Sequence, residues 1–463
     1  MSQVLEGIDY HETILSLVGR TPLVRIRRLA RGRPAPVLAK LEFFNPGGSV
    51  KDRIGLSMVE AAVKEGRLKP GGTIVECTSG NTGLGLAMVA AIQGYRAVFC
   101  MPDKVSSEKV YLLKAFGAEV LLSPTSVAPE SPDSYYSVAR RVTEERPGAC
   151  LMNQYHNPAN PEAHYRTTGP ELWEQTRGRI THFVTGMGTG GTISGTAKYL
   201  KEKNPKVQVI GADPVGSILK HFHETGEMSE ARTYKIEGVG EDFIPSATDF
   251  SLIDRVIACN DRDGLNTARR LAREEAIFVG GSSGMAAWVA LEVAKDLTPD
   301  DLLVVLLPDT GERYLTKVHS DEWMRDNHLL DLEAQSIADV VGSKRRGVPS
   351  LLLVQADEPV RRALQLVEQH DITQIPVFRA GELVGTVYDN DLLKRVLENS
   401  GVLDQKVEVL MGDPLPVVAA GEPLTNVTRM LAGRNPAVLV RENGAYTGIL
   451  TRFDMLQFIA GRE

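Results

Sequence analysis

In the stretch FFNPGGSVKDR, residues 43–53, a lysine stands where a helix begins. Asn45, Pro46, Gly47 and Gly48 break regular structure, and Ser49 opens SVKDRIGLSMVEAAVKEG, whose apolar residues recur at helical spacing. Lys51 therefore falls in the first helical turn. That end of a helix carries positive potential, which favours anions and disfavours an ammonium. Two readings fit a lysine there. It is solvated or paired with its neighbour Asp52, or it is meant to lose its proton. A neutral amine at such a place can form a Schiff base with a carbonyl.

Three glycine-rich stretches bear on the choice. TGMGTGGTISG, residues 185–195, follows an apolar run and opens a helical one. Its glycines let backbone N–H groups wrap an anion, and Thr189 and Thr192 add hydroxyl donors. It also contains GxGxxG, the dinucleotide pattern. That pattern wants an acidic residue after the next strand, for which Asp213 is the nearest candidate, and a single phosphate fits better. ECTSGNTGLGLA, residues 76–87, is a second such turn, with Thr78, Ser79, Asn81 and Thr82 as donors. It reads either as a site for a substrate carboxylate or simply as a well-capped helix. VGGSSGMAAW, residues 279–288, is a third, whose hydroxyl could receive a ring nitrogen. A lysine for a Schiff base, a nest for one phosphate, a carboxylate site and a ring partner together match pyridoxal 5′-phosphate (PLP).

The elements that must position these groups alternate. Between about residues 37 and 310, short apolar runs such as GTIVECT, RAVFCM, AEVLLS, ITHFVTGMG, VQVIGAD and LLVVLLPD are each followed by polar turns or helix-period stretches. That βαβα order implies parallel sheets with helices on both faces. SPTSVAPESPDSYYS reads as a surface loop. Near residue 330 the character changes, and a repeat begins. DEPVRRALQLVEQHDITQIPVFRAGELVGTVYDNDLL resembles GEPLTNVTRMLAGRNPAVLVRENGAYTGILTRFDML, with Gly385 matching Gly448 and Asp391 matching Asp454, each pair 63 residues apart. Each copy reads as helix, strand, turn, strand, helix. One such unit buries little core, so the two are expected to pack together. The expected domains are 1–328 and 335–463, the latter with copies at about 335–398 and 405–463.

Bulk composition excludes several classes. The 463 residues are 43% hydrophobic and 24% charged, as in ordinary globular proteins. A net charge of -7 argues against a nucleic-acid partner. No stretch approaches the roughly 18 apolar residues of a membrane helix, and the N-terminus lacks the pattern of a signal peptide, so a cytoplasmic enzyme is expected. Cys77, Cys100, Cys150 and Cys259 show no CxxC spacing, and they read as buried reduced thiols. His221 and His223 read as solvated rather than as metal ligands, and no metal site is expected.

The ordered motifs NPGGSVKDR, TSGNTG, GTGGT and GGSSG resemble the fold type II family of PLP enzymes, in the cysteine synthase and cystathionine β-synthase group. The resemblance covers residues 10 to 325. SSEKVYLLKAFGAEV, DPVGSIL and EGVGEDFIP are more similar to the cystathionine β-synthase branch, and the tail is similar to its paired CBS-type (Bateman) module. The implied fold is α/β, with two parallel-sheet αβα lobes and a C-terminal tandem CBS-domain α+β module. The implied activity is β-replacement, joining serine (or O-acetylserine) to homocysteine to give cystathionine, with release of H2S from cysteine as a side activity. A cysteine synthase using O-acetylserine and sulfide is the near alternative. A catalytically silent sensor of adenosyl ligands is the alternative of another class.

The resemblance also implies roles. Lys51 is the Schiff-base lysine and base. Asn81 bonds the ring hydroxyl. Gly188, Thr189, Gly190, Gly191 and Thr192 hold the phosphate, and Ser282 faces the ring nitrogen. Thr78, Ser79, Thr82 and Gln154 hold the substrate carboxylate, Gly238 and Tyr155 also bind substrate, and Tyr155 lies near the ring. Relatives with haem carry an N-terminal extension and a CxxC that have no counterpart here, so no haem is expected. Many relatives have tyrosine where this chain has Glu241. That carboxyl could protonate a leaving hydroxyl or bind the amino-acid thiol, and it could equally be a solvated loop residue. In the tail, GILTRFD supplies Thr451 and Asp454 for an adenosyl ligand, S-adenosylmethionine or an adenine nucleotide, whereas the first copy has Tyr388 at the position of Thr451. A purely structural, dimerising tail is the other reading. A homodimer or higher homo-oligomer is expected.

Overall fold

The computed structural model describes residues 9–460 apart from 79, 104, 106, 125–126, 128–130, 331–336, 343–350 and 434. The chain divides into two compact units, Met1–Met324 and Arg325–Glu463. The expected domain bounds at 328 and 335 flank residues 331–336, which lie outside the described residues.

The first unit carries β1 (Leu23–Arg25), β2 (Val37–Leu41), β3 (Thr73–Cys77), β4 (Arg96–Pro102), β5 (Glu119–Ser123), β6 (Ala149–Leu151), β7 (His182–Gly186), β8 (Gln208–Pro214), β9 (Arg255–Cys259) and β10 (Leu303–Leu307). They form two sheets, β1-β2-β10-β7-β8-β9 and β5-β4-β3-β6. Every pairing is parallel except β1 with β2. β3 and β10 are buried at every residue. This is why they read as unbroken apolar runs, since helices cover both faces of a parallel sheet. Each lobe has its own core, one around Ile54, Leu86 and Phe99 and the other around Phe183, Ile193 and Leu306. The SPTSVAPESPDSYYS stretch is not all loop. A helix starts at Tyr135, with the Ser134 hydroxyl accepting from the Ser137 N–H.

The second unit holds β11 (Val354–Gln355), β12 (Gln374–Arg379), β13 (Glu382–Tyr388), β14 (Val417–Ala419), β15 (Ala437–Glu442) and β16 (Ala445–Thr451). Each repeat thus has one strand more than its pattern announced, a short parallel partner at its start, giving the sheets β11-β12-β13 and β14-β15-β16. The repeat extends to fine detail, because both hairpins shift register at the same step, Val377/Phe378 and Val440/Arg441. Leu383 and Leu351 pack with Leu439 and Ile449, so the copies share a core. The helix Ile337–Gly342 precedes the first copy in sequence, yet Ile337 and Val340 are buried in the core of the second, against Val418 and Met455.

Candidate active site

Both sheets of the first unit end their parallel strands in loops that open onto helix starts, the usual place for a ligand in such folds. Lys51 is the first residue of the helix Lys51–Lys64. The Ser49 hydroxyl accepts its backbone N–H at 3.3 Å. The preceding residues are pinned to the end of β10, with the Val50 N–H donating to the Pro308 carbonyl at 2.8 Å and Ser49 bridged to Asp309. The helix crosses its neighbour Asn81–Gln93 at glycines. A Cβ on Gly85 would lie 2.7 Å from the Lys51 carbonyl oxygen. Burial lowers the pKa of Lys51 against the opposing pull of Glu241 and Asp309. No ion pair joins Lys51 to Asp52, whose carboxylate accepts the Gly47 N–H at 2.6 Å. Just behind, Arg53 is locked to Glu42 and Glu171, and Lys40 to Glu171, in a buried network that anchors the helix start.

The loop after β7 forms a cradle. Gly190 has φ +81 and is packed so tightly that a Cβ would meet Thr248 Oγ1 at 1.7 Å; a Cβ on Gly191 would meet Asn160 Oδ1 at 1.9 Å. The helix Gly191–Lys203 starts there and turns its free N–H groups toward the loop. A second helix, Ala159–Arg166, backs the cradle. Asn160 donates to Thr189 Oγ1 at 3.0 Å, and His164 Nε2 lies 3.2 Å from Thr192 Oγ1. Burial, aided by Arg53, pushes His164 down to about 3, so the imidazole is neutral at physiological pH. Lys51, Gly188, Thr189, Gly190, Thr192 and Gly238 line one open cleft.

The loop after β3 faces the same region. Thr78 is buried, and its hydroxyl accepts the Gly80 N–H at 3.1 Å. Ser79 lies outside the described residues. Thr82 donates to Gln154 Oε1 at 2.6 Å, so two residues expected at one carboxylate meet. Asn81 donates to Asp309 Oδ2 at 2.8 Å, and its carbonyl oxygen accepts from Arg313. Ser282 is buried at the start of the helix Gly281–Val293 and has no side-chain partner. The Tyr155 ring packs edge-on against Phe243 at 5.1 Å. Glu241 is held by its backbone, with the N–H donating to Ser217 Oγ at 3.1 Å and the carbonyl accepting from Ile218 at 3.1 Å. Its side chain has no hydrogen-bond partner. Burial, then Asp242, push it up to about 8, while Lys51 pulls the other way.

The cleft thus holds an amine of lowered pKa and an anion cradle with no room for a Cβ, and buried hydroxyls stand at two further helix starts, Thr82 on Asn81–Gln93 and Ser282 on Gly281–Val293. This donor set fits PLP. The family description "Pyridoxal-phosphate dependent enzyme" matches residues 14–309, and "CBS domain" matches 347–398 and 407–461. The chain belongs to the pyridoxal-phosphate-dependent enzymes. It is 40% identical over 436 residues to a cystathionine beta-synthase of Saccharomyces cerevisiae, covering 88% of this chain and 86% of that protein. It is 38% identical to that of Dictyostelium discoideum, over 97% of this chain and 92% of the other. Among solved structures, an O-ureido-L-serine synthase shares 40% identity at a TM-score of 0.62, covering 68% of this chain and 98% of its own. An O-acetylserine dependent cystathionine beta-synthase of Helicobacter pylori shares 37% at a TM-score of 0.62, covering 67% and 99%. The PLP-enzyme fold type II with a CBS-domain pair, anticipated from the motifs, is thus the family of this chain.

Sequence reasoning passed over Asp309, Arg313, Asn160 and His164. Asp309 ends LLVVLLPD, and its position just past a buried parallel strand was a usable signal. The other three act through contacts across the lobe, which no local pattern announces. In the second unit, Thr451 and Asp454 bond each other: the Thr451 N–H and hydroxyl both donate to Asp454 Oδ2 at 2.8 Å, a reciprocal cap at a helix start. His221 and His223 lie on the helix Leu219–Thr225, with the His223 ring bonded to the Ile253 carbonyl at 2.9 Å.

Proposed function

We propose that this chain catalyses β-replacement, condensing L-serine with L-homocysteine to L-cystathionine. The observation that carries this is that Lys51 and the cradle at 188–192 line one cleft, with Glu241 near enough to act on the lysine's charge. PLP, when bound, supplies an electron sink for the substrate α-carbon. Gly188, Thr189, Gly190, Gly191 and Thr192 hold its phosphate, Asn81 its ring hydroxyl and Ser282 its ring nitrogen. A serine hydroxyl there would impose no full charge on the ring nitrogen. Thr78, Ser79, Thr82 and Gln154 hold the substrate carboxylate, with Gly238 and Tyr155 closing the site. Lys51, whose pKa burial lowers, takes the α-proton.

Glu241 bears on the donor. Serine must lose hydroxide, which needs a proton, whereas O-acetylserine loses acetate, which does not. A carboxyl that keeps its proton to about pH 8, beside Lys51, can give it to the leaving hydroxyl. This favours serine over O-acetylserine, and homocysteine over sulfide follows the named activity of the full-length relatives. The test is product analysis with serine or O-acetylserine against homocysteine or sulfide. Cystathionine from serine is expected, and cysteine from O-acetylserine alone would replace this reading with a cysteine synthase. For the tail, Thr451 and Asp454 offer a hydroxyl and a carboxylate to an adenosyl ligand. Calorimetric titration with S-adenosylmethionine and AMP should give binding that Asp454→Ala abolishes. Equal binding by both proteins moves the site elsewhere.

A further inference from the structure

Asn160 belongs to none of the motifs, yet it touches both anion sites. It is 1% exposed. Its amide nitrogen has two hydrogens and makes two bonds, to the Gln154 carbonyl at 2.8 Å and to Thr189 Oγ1 at 3.0 Å. A carbonyl oxygen can only accept, so the NH2 group, not the oxygen, must face Gln154. The same group then donates to Thr189, which leaves the threonine hydroxyl hydrogen free for an anion in the cradle. Gln154 in turn accepts from Thr82 at 2.6 Å. The chain Thr82–Gln154–Asn160–Thr189 therefore runs unbroken from the helix start after β3 to the loop after β7. Asn160 Oδ1 has no partner and fills the space that a side chain on Gly191 would need. The amide is thus wedged by the cradle on one side and tied to the carboxylate loop on the other.

We propose that Asn160 is a positioning residue that couples the phosphate cradle to the substrate-carboxylate site. It aims the Thr189 hydroxyl at the phosphate and holds the Gln154 backbone so that the side chain of Gln154 can orient Thr82. A displacement of Thr189 on binding phosphate is passed through one rigid planar amide to the segment that holds Thr82. Coupling of this kind is reciprocal, so each site tightens the other by the same factor. The inference rests on the PLP reading above.

The experiment uses full-length protein. PLP affinity is measured by titrating the apoprotein and following tryptophan fluorescence. L-serine affinity is measured on the holoenzyme from the visible absorbance of the cofactor. Asn160→Asp keeps the shape and loses both donated bonds; Asn160→Leu loses them without adding charge. Each is expected to weaken PLP and serine together, by roughly tenfold for the two lost hydrogen bonds. KM for serine should rise by the same factor while kcat at saturation changes far less. Thr189→Val should weaken serine binding in the wild-type background and leave it unchanged in Asn160→Leu, as a coupled pair requires. Weakening of only one ligand, or an equal effect of Thr189→Val in both backgrounds, overturns the coupling. If neither Asn160 variant folds, Thr189→Val alone decides, and unchanged serine affinity overturns it. Failure of the wild-type protein to bind PLP would instead sink the proposed function.

Discussion

The loops after β7 and after β3 have the same plan, a strand, a glycine turn and a helix start, but they are built to different tolerances. In the cradle a Cβ on Gly190 or Gly191 would meet side-chain atoms at 1.7 and 1.9 Å, and both threonines are held from behind by a second helix. In the carboxylate loop a Cβ on Gly80 would find nothing nearer than Lys109 at 3.6 Å. One turn is wedged at both glycines, and the other has space at Gly80, although its Gly83 packs closely on Thr78. The difference suits their ligands. A cofactor that stays benefits from a site that is rigid in advance, whereas a substrate that exchanges each cycle needs a loop of lower local stability. Lys51 stands between them, on the strand-to-helix passage from one sheet to the other.

The comparison is tested hardest at Lys51, which both sites serve. Lys51→Ala should retain non-covalent PLP, because the cradle is intact, yet lose turnover on the order of a thousandfold or more, as removal of a covalent and proton-transferring group does. Near-normal turnover in the purified variant would end the comparison. The side chain is partly buried rather than exposed, so a small loss of thermal stability is also expected.

The steric contrast comes next. Gly191→Ala should weaken PLP binding by about ten- to a hundredfold, since overpacking a tight site costs roughly 1–3 kcal/mol. Gly80→Ala should retain PLP fully and change serine affinity by no more than a few-fold. Fluorescence titration of both apoproteins decides it. Equal losses would mean that the two loops are equally constrained.

The smallest effect is a pH dependence. Glu241 keeps its proton from its ordinary value of 4.5 up to about 8 in the folded protein. Turnover with serine should therefore fall as pH rises through about 8, and turnover with O-acetylserine should lack that arm. Glu241→Gln should remove the difference between donors. The same raised value means the folded state binds an extra proton between 4.5 and about 8, so this group's contribution to stability declines as pH rises across that window and is flat above it. Thermal melts of wild type and Glu241→Gln should diverge in slope there. Parallel slopes would place Glu241 in solvent, as an ordinary loop carboxylate.

Local chemistry determined much of this protein on its own. The alternation of apolar runs and helical periods made parallel sheets legible, because a strand buried on both faces has no polar side to show. The glycine turns were legible because backbone that must approach an anion tolerates no side chain. The repeat was legible down to Gly385 and Gly448, which lie opposite Val377 and Val440 beside the same register shift. What sequence left open was decided by distance. Whether Lys51 pairs with Asp52 depended on burial and on Glu241, nearly two hundred residues away. The helix Ile337–Gly342 joined the second repeat rather than the first, because an amphipathic helix carries no mark of which core will bury it. The short strands β11 and β14 have too few residues to show a period. Asn160 and His164 sit in an ordinary polar stretch, and only the approach of their helix to Gly191 and Gly195 turns them toward the cradle. A contact between remote segments is a property of packing, and local composition does not encode it.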